Sequence, residues 1–184
     1  MWQDLSQFRI PARFRGRSPI VCQLWWVVQA SLFRWSPQFA YGFRVGLVRV
    51  FGGTIGKGVK IRPTVTLTYP WKVMIGDYSW IGDDVVLYSL GDIRIGSNTV
   101  ISQKSYLCAA DHDSATLSFP LRARPISVGG QVWIAADVFL GPGVSVADGV
   151  IIGARSSVFS DLPPGVIAMG SPATIRSLRP DSHA

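Results

Sequence analysis

The chain is poor in the residues that build metal centres and covalent staples. Its 184 residues include two histidines, His112 and His183, and two cysteines, Cys22 and Cys108. Two histidines cannot furnish the cluster of imidazoles that holds a catalytic zinc, so no metal site is expected. The two cysteines lie far apart, and nothing in their placement demands a disulfide, which fits a reducing compartment. Long apolar runs are also missing. The best candidate, roughly Ile20 to Phe33, is too short to span a bilayer. Acid is scarce in the N-terminal region. The first 50 residues hold seven arginines (Arg9, Arg13, Arg15, Arg17, Arg34, Arg44, Arg49) against Asp4, and so supply +6 of the net +7. A basic chain raises the question of nucleic acid. Here the charge is local and interleaved with Trp and Phe, no nucleic-acid-binding motif accompanies it, and nucleic acid is not expected as a partner.

What the chain has in abundance is a six-residue beat. Ile55, Ile61 and Leu67 form one triplet, Ile75, Ile81 and Leu87 a second, and Ile95, Ile101 and Leu107 a third. An unbroken series then runs Val128, Ile134, Leu140, Val146, Ile152, Val158. The first three triplets start 20 residues apart, so each is an 18-residue unit with two residues inserted at one place. A small residue often follows the aliphatic, as at Gly56, Gly76, Gly82, Gly96, Ala135, Gly141 and Gly153. Neither helical nor strand periodicity gives six. Six residues make a short strand plus a turn, and three such units make one coil of a three-sided parallel β-helix. One coil cannot bury its own inner face, so stability comes from stacking. The expected fold is an all-β repeat, with an N-terminal arm and two capping helices over 1–52, the prism over 53–162 with a loop at 108–127, and a tail over 163–184.

Two helices are expected ahead of the prism. Ser18-Pro19 and Ser36-Pro37 each place a capping hydroxyl before a proline at the first helical position. The first helix is apolar on nearly every side, with Leu24, Trp25, Trp26, Val27 and Val28. The second carries Phe39, Phe43, Leu47 and Val50 on one face, with Arg44 and Arg49 elsewhere. These helices read as a cap on the open end of the prism. A second reading seats residues 9–35, rich in Arg and Trp, on a membrane surface. Arginine before an apolar stretch and the Val28-Gln29-Ala30 triplet faintly resemble a signal peptide, but the paired Trp argue against one.

Between Leu107 and Val128 the beat lapses for 21 residues. A loop ejected from a regular frame is where repeat proteins place function. His112 stands at its start, flanked by Asp111 and Asp113, whereas His183 is the penultimate residue. Imidazoles titrate near pH ~6.5 and suit general-base chemistry at neutral pH. A hydroxyl becomes a competent nucleophile as its proton is removed. A thioester needs no metal to react, only that base and a donor for the oxyanion. The low histidine count argues against a prism-shaped carbonic anhydrase. Cys108 as a covalent nucleophile is the weaker alternative, since it occupies the small-residue slot of its hexapeptide.

Several longer stretches carry a resemblance: Ile61-Arg-Pro63, Tyr69-Pro-Trp-Lys72, Ile75-Gly-Asp-Tyr-Ser-Trp-Ile-Gly-Asp-Asp84, Ile101-Ser-Gln103, Tyr106-Leu-Cys108, Gln23-Leu-Trp-Trp26 and Phe33-Arg-Trp-Ser-Pro37. Together they resemble the colanic acid biosynthesis acetyltransferases, within the hexapeptide-repeat group of maltose, galactoside and nodulation acetyltransferases. The resemblance implies a left-handed prism and a homotrimer with active sites between subunits. It implies acetyl-CoA as donor, a carbohydrate hydroxyl as acceptor, and His112 as the base in direct transfer within a ternary complex. Asp83 and Asp84, about 30 positions earlier, and Asp113 are the implied acceptor-binding residues. Gly-Asp-Asp is equally a good corner by its turn chemistry.

The implied donor groove runs along Trp133, Ala135 and Ala136, Gly141, and Gly153 with Ala154, where small side chains let pantetheine approach the backbone. The closing motif is Gly170-Ser-Pro-Ala173. This chain has Thr174 and Phe159-Ser160 where basic residues are usual, leaving Arg176 and Arg179 to meet the CoA phosphates. The donor implies a cytoplasmic protein, with a lipid-linked acceptor and the inner face of the membrane as a refinement. An amino-sugar or serine-like acceptor shares every motif. A non-catalytic trimeric scaffold or sugar-binding prism shares the repeat alone.

Overall fold

A computed structural model describes residues 1–11 and 14–180; His183 lies outside them. The six-residue beat folds into a parallel β-helix with three faces. Sheet A stacks Thr54–Ile55, Val73–Ile75, Ile93–Ile95, Ile126–Val128 and Ser145–Val146. Sheet B stacks Lys60–Ile61, Trp80–Ile81, Val100–Ile101, Trp133–Ile134, Ile151–Ile152 and Val166–Gly170. Sheet C stacks Thr66–Leu67, Val86–Tyr88, Tyr106–Cys108, Phe139–Leu140 and Ser157–Val158. An antiparallel strand, Ala173–Leu178, closes the far edge of sheet B.

Register is in phase throughout: Ile55 pairs with Ile75, Ile61 with Ile81 and Leu67 with Leu87. Every on-beat aliphatic points inward, none more than 6% exposed. The core has a second inward column two residues earlier, which the beat alone did not reveal. Val59, Val65, Val85, Val132 and Val138 fill it, as do Ser79, Thr99 and Ser105. The buried hydroxyls are satisfied along the stack. Ser79 Oγ donates to the Gly96 carbonyl at 2.7 Å, Thr99 Oγ1 to Gly129 at 2.8 Å and Ser105 Oγ to Ala135 at 2.9 Å. Burial without such partners would be costly.

The inserted residues all fall at one corner, where the chain passes from sheet C to sheet A. The first insertion forms a short 3-10 turn, Pro70–Lys72. Ser89 of the second holds the backbone N–H and carbonyl of Tyr69 at 2.8 and 3.0 Å. The long lapse is the third insertion at this corner. It adds no coil, since Leu107 of sheet C is followed by the sheet A strand Ile126–Val128.

The N-terminal helices meet a specific physical need. Alternate residues of the first coil bond the second, as in Arg62 N to Ile81 O, while the carbonyls of Ile55, Ile61 and Leu67 face the other way, where no coil lies below to donate to them. One side chain serves each face. Arg49 donates to Ile55 O at 2.7 Å, Arg44 to Ile61 O at 2.6 Å and Trp25 to Leu67 O at 2.8 Å. Such end groups otherwise invite strand pairing with another chain.

Helix α1 (Pro19–Val28) has the expected Ser18 cap, accepting from Val21 N, and continues into a π-helical turn, Gln29–Phe33. Helix α2 (Tyr41–Val50) departs from expectation. Ser36 does not cap it; Ala40 is the N-cap residue and makes no side-chain cap bond. Its buried face is Arg44, Val45 and Val48, while Phe39, Phe43 and Val50 are exposed. The reason is the end-capping role. Arg44 must turn inward to reach Ile61 O, and it also donates to Ser36 Oγ, Pro37 O and Gln38 O.

Candidate active site

The long insertion is a β-hairpin. Ala110–His112 pairs antiparallel with Leu121–Ala123, placing Asp111 opposite Arg122 and His112 opposite Leu121. Arg122 grips Asp111 through two hydrogen bonds of 2.8 and 3.0 Å, one from Nε and one from Nη2. This guanidinium is the main reason the Asp111 carboxyl sits below the usual carboxylate range. Asp113, expected to contact an acceptor, also holds the turn. Its N–H donates to Pro120 O at 2.9 Å and its carboxylate accepts from Ala115 N at 3.1 Å.

His112 is half-buried and tightly oriented. Its Nδ1 lies 2.9 Å from the carbonyl oxygen of Phe119. A carbonyl can only accept, so Nδ1 carries the proton and Nε2 of the neutral ring keeps its lone pair. The Phe119 ring stacks on the imidazole with centroids 4.4 Å apart and planes at 10°. Phe8 approaches it at 6.0 Å. The N-terminal arm is strapped over this loop and over the first insertion at the same corner. Asp4 N donates to Leu117 O at 2.7 Å, Trp71 Nε1 to Arg15 O at 2.7 Å, and Lys72 Nζ to Phe14 O at 2.7 Å. Burial lowers the Lys72 pKa. Phe8, Phe119 and Arg122 were not among the residues expected at the site. Only Arg122 leaves a trace in the sequence, as a cation 11 positions after an aspartate.

Cys108 lies on the outer face of sheet C with its thiol directed to Ala110 O at 3.3 Å. Burial raises its pKa, which works against thiolate chemistry there. Both cysteines are free. Among the described residues, no three His, Cys or Asp side chains gather as metal ligands, and no helix is long and apolar enough to cross a membrane.

The remaining expected residues lie elsewhere. Asp83 and Asp84 sit at the corner between sheets B and C, on the opposite border of sheet C from the His112 hairpin. Arg62 donates to Asp83 at 2.8 Å and Thr64 at 3.1 Å. Asp84 occupies a left-handed turn position with φ 56°, as do Lys104, Asp137 and Arg155 at the same corner of later coils. A groove over sheet B and this corner is lined by Lys60, Arg62, Trp80, Asp83, Ser102 and Gln103. It is well formed, yet a single chain does not bring it to His112.

Trp133, half exposed, extends the outward column of sheet B, and its Nε1 donates to Ser102 at 3.2 Å. Ala135 and Ala136, then Gly153 and Ala154, continue along the sheet B to C corner. Gly141 belongs to the other border of sheet C and is buried; a Cβ there would meet the Phe159 ring at 2.9 Å. One at Gly153 would meet Met169 Cβ at 2.8 Å. Stacking of the next coil therefore already requires both glycines. Arg179 is engaged by the Gln131 and Gly149 carbonyls at 2.7 and 3.0 Å, whereas Arg176 is exposed on the closing strand.

No family model matches the chain. It is 56% identical over 173 residues to the colanic acid biosynthesis acetyltransferase WcaF of Escherichia coli (strain K12), covering 94% of this chain and 95% of that protein. It is 34% identical over 127 residues to nodulation protein L of Rhizobium meliloti (strain 1021), covering 67% and 69%. Its fold matches a maltose O-acetyltransferase from Clostridium difficile 630 with TM-score 0.80 at 24% identity, covering 89% and 90%. It likewise matches a galactoside acetyltransferase solved with coenzyme A, with TM-score 0.79 at 23% identity over 92% of each chain. With more than half its residues shared along nearly its full length, the chain belongs to the colanic acid biosynthesis acetyltransferase family.

Proposed function

We propose that the protein transfers acetyl from acetyl-CoA to a hydroxyl of a sugar or exopolysaccharide precursor, with His112 as the general base. The observation that carries this reading is the Nδ1 contact to the Phe119 carbonyl at 2.9 Å, which leaves Nε2 as the proton acceptor. As the acceptor oxygen attacks the thioester carbonyl, its proton passes to Nε2. The carbon–sulfur bond then breaks, and the imidazolium returns the proton to the departing thiolate. The products are an acetyl ester and CoA with a free thiol. No residue is acylated on the way.

The two borders of sheet C suggest how the site is completed. His112 lies on one, while Asp83, Asp84, Trp133, Ala135, Ala136, Gly153 and Ala154 lie along or beside the other. Between them the outer face of sheet C carries a column of aromatics. Tyr88 and Tyr106 stand 5.9 Å apart, and Tyr106 and Phe139 6.0 Å. A homotrimer in which this apolar face meets neighbouring copies would bring one copy's His112 to the next copy's groove. Pantetheine would follow that groove past the alanines, with Arg176 toward the phosphates. Asp83, pinned by Arg62, and Asp84 would face the acceptor, and Asp113 would shape the hairpin that does so. The donor places the reaction in the cytoplasm, and a lipid-linked acceptor fits an exopolysaccharide route.

Release of free thiol from acetyl-CoA, measured across a panel of sugars, tests this directly. Wild type should release thiol with a subset of sugars, and His112→Ala should lose transfer by at least about 100-fold, the usual scale of general-base catalysis. Transfer undiminished in His112→Ala would remove the base assignment.

A further inference from the structure

From Leu5 to Gly76 the sequence contains no acidic residue, yet eleven Arg and Lys fall within it. This stretch covers the N-terminal arm, both helices and the first coil. Of its cations, Arg44 is buried under α2 and Arg62 is paired with Asp83. Arg17, Arg34, Arg49 and Lys57 are exposed around the capped end of the prism.

The same end is apolar in the direction where a cap should be polar. On α1, Cys22 and Trp25 face the protein. Ile20, Leu24 and Val27 follow at i, i+4 and i+7 on the outward side and are all exposed. That stripe runs on through Ser31 into a shallow depression lined by Leu32, Trp35, Pro37, Ala40 and Phe43. Trp35 and Phe39 are 81% and 82% exposed. On α2 the residues facing the first coil are Arg44, Val45 and Val48, so Phe43 and Val50 look away from the prism. A contiguous apolar surface of this kind marks an interaction site.

Charge selects the occupant. A second copy would set cations against cations, because this region has no acid to offer its twin. Nucleic acid would satisfy the charge but leave the outward aliphatics Ile20, Leu24, Val27 and Leu32 facing water. An anionic bilayer satisfies both: aliphatic and aromatic side chains enter the interface, and arginines meet lipid phosphates. We infer that the capped end of the prism is a docking surface for anionic membrane, with Leu24, Val27, Leu32, Trp35, Phe39 and Phe43 as its inserting residues. This stands independently of the acetyl-transfer reading.

The test is co-sedimentation of the full chain with vesicles of phosphatidylcholine alone or mixed equally with phosphatidylglycerol. Wild type should bind the mixed vesicles and bind the neutral ones at least about tenfold less, given several arginines at the surface. Leu24→Ser/Trp35→Ser/Phe39→Ser should lose binding by more than about tenfold through the apolar area removed. Arg34→Glu should weaken it at least about fivefold. Both variants should keep the wild-type oligomer mass and thermal unfolding, since these side chains are exposed. Transfer to a soluble sugar should be unchanged, so partition and catalysis are read separately. The proposal is overturned if wild type ignores the mixed vesicles or the triple variant binds them as well as wild type. It is also overturned if the triple variant dissociates the oligomer, which would mean another copy covers this face. Retention on duplex DNA without vesicle binding would assign the surface to nucleic acid instead.

Discussion

Replacing Arg44 should substantially destabilise the N-terminal cap. Its side chain is fully buried and its guanidinium serves four acceptors: Ile61 O at 2.6 Å, Gln38 O at 2.7 Å, and Ser36 Oγ and Pro37 O at 2.8 Å. Arg44→Met keeps most of the volume and removes the donors. The acceptors on the Ser36–Gln38 turn are close enough to the surface for water to replace part of what is lost. The Ile61 carbonyl is not, because it lies under α2 at the end of a stack with no coil beneath it. Stranding it costs about 1–3 kcal/mol, and the charge-assisted bonds to the turn add a similar amount. Part of this is returned, because burial disfavours the guanidinium charge and lowers its pKa. The net loss should be about 2–4 kcal/mol. Arg49 is the internal control. It makes the matching contact to Ile55 O from an exposed position, so Arg49→Met should cost under ~1 kcal/mol. Chemical denaturation of the three proteins, with hydrogen exchange following the first coil, reads both effects. If Arg44→Met falls within ~0.5 kcal/mol of Arg49→Met, side-chain capping of the first coil is not what holds this end together.

Three further outcomes follow from the hairpin, the arm and sheet C. The folded pKa of Asp111 lies below its unfolded value of about 3.9, so its pair with Arg122 contributes fully above that pH and fades as pH falls through the folded pKa. Both side chains are substantially exposed, which keeps the contribution small. Asp111→Asn should be less stable than wild type at neutral pH, and a gap undiminished in strong acid would contradict the assignment. On sheet C, burial pushes the Tyr106 phenol up to about 12. Its neutral form supports folding fully below the unfolded pKa of about 10, and that support is lost as pH rises through about 12. Ultraviolet titration should find a late-ionising tyrosine that Tyr106→Phe removes. Phe8→Ala removes a ring 6.0 Å from His112. An aromatic contact of that kind is worth about 0.5–1.5 kcal/mol, so the variant should lose up to that much stability and its kcat/KM should fall roughly two- to tenfold. Unaltered kinetics would reduce the arm to a passive wrapping.

How much of this was written in the sequence differs from element to element. The fifteen on-beat aliphatics are core residues because stacking is periodic, and periodicity is a property of sequence. The second inward column was hidden because Ser79, Thr99 and Ser105 look polar until their neighbours along the stack are known. Helix α2 differs for a related reason: hydrophobicity gathers Phe39, Phe43, Leu47 and Val50 on one face, but the Ile61 carbonyl draws Arg44 inward instead. His112 could be picked out by where the beat lapses. Its partner Phe119 could not, since that contact depends on hairpin register, which no pattern in the loop announces. Gly141 and Gly153 read as room for a ligand, and the coils above them call for small residues there as well.

The base assignment is open to one direct measurement. Because the chain has two histidines, a His183→Ala protein gives a single imidazole in a long-range proton–nitrogen spectrum. With Nδ1 donating to Phe119 O, the neutral ring should be the Nδ1–H tautomer, and the acid limb of the kcat/KM profile should coincide with the titration of that resonance. A neutral ring protonated on Nε2, or an acid limb that ignores the titration, would contradict His112 as the base.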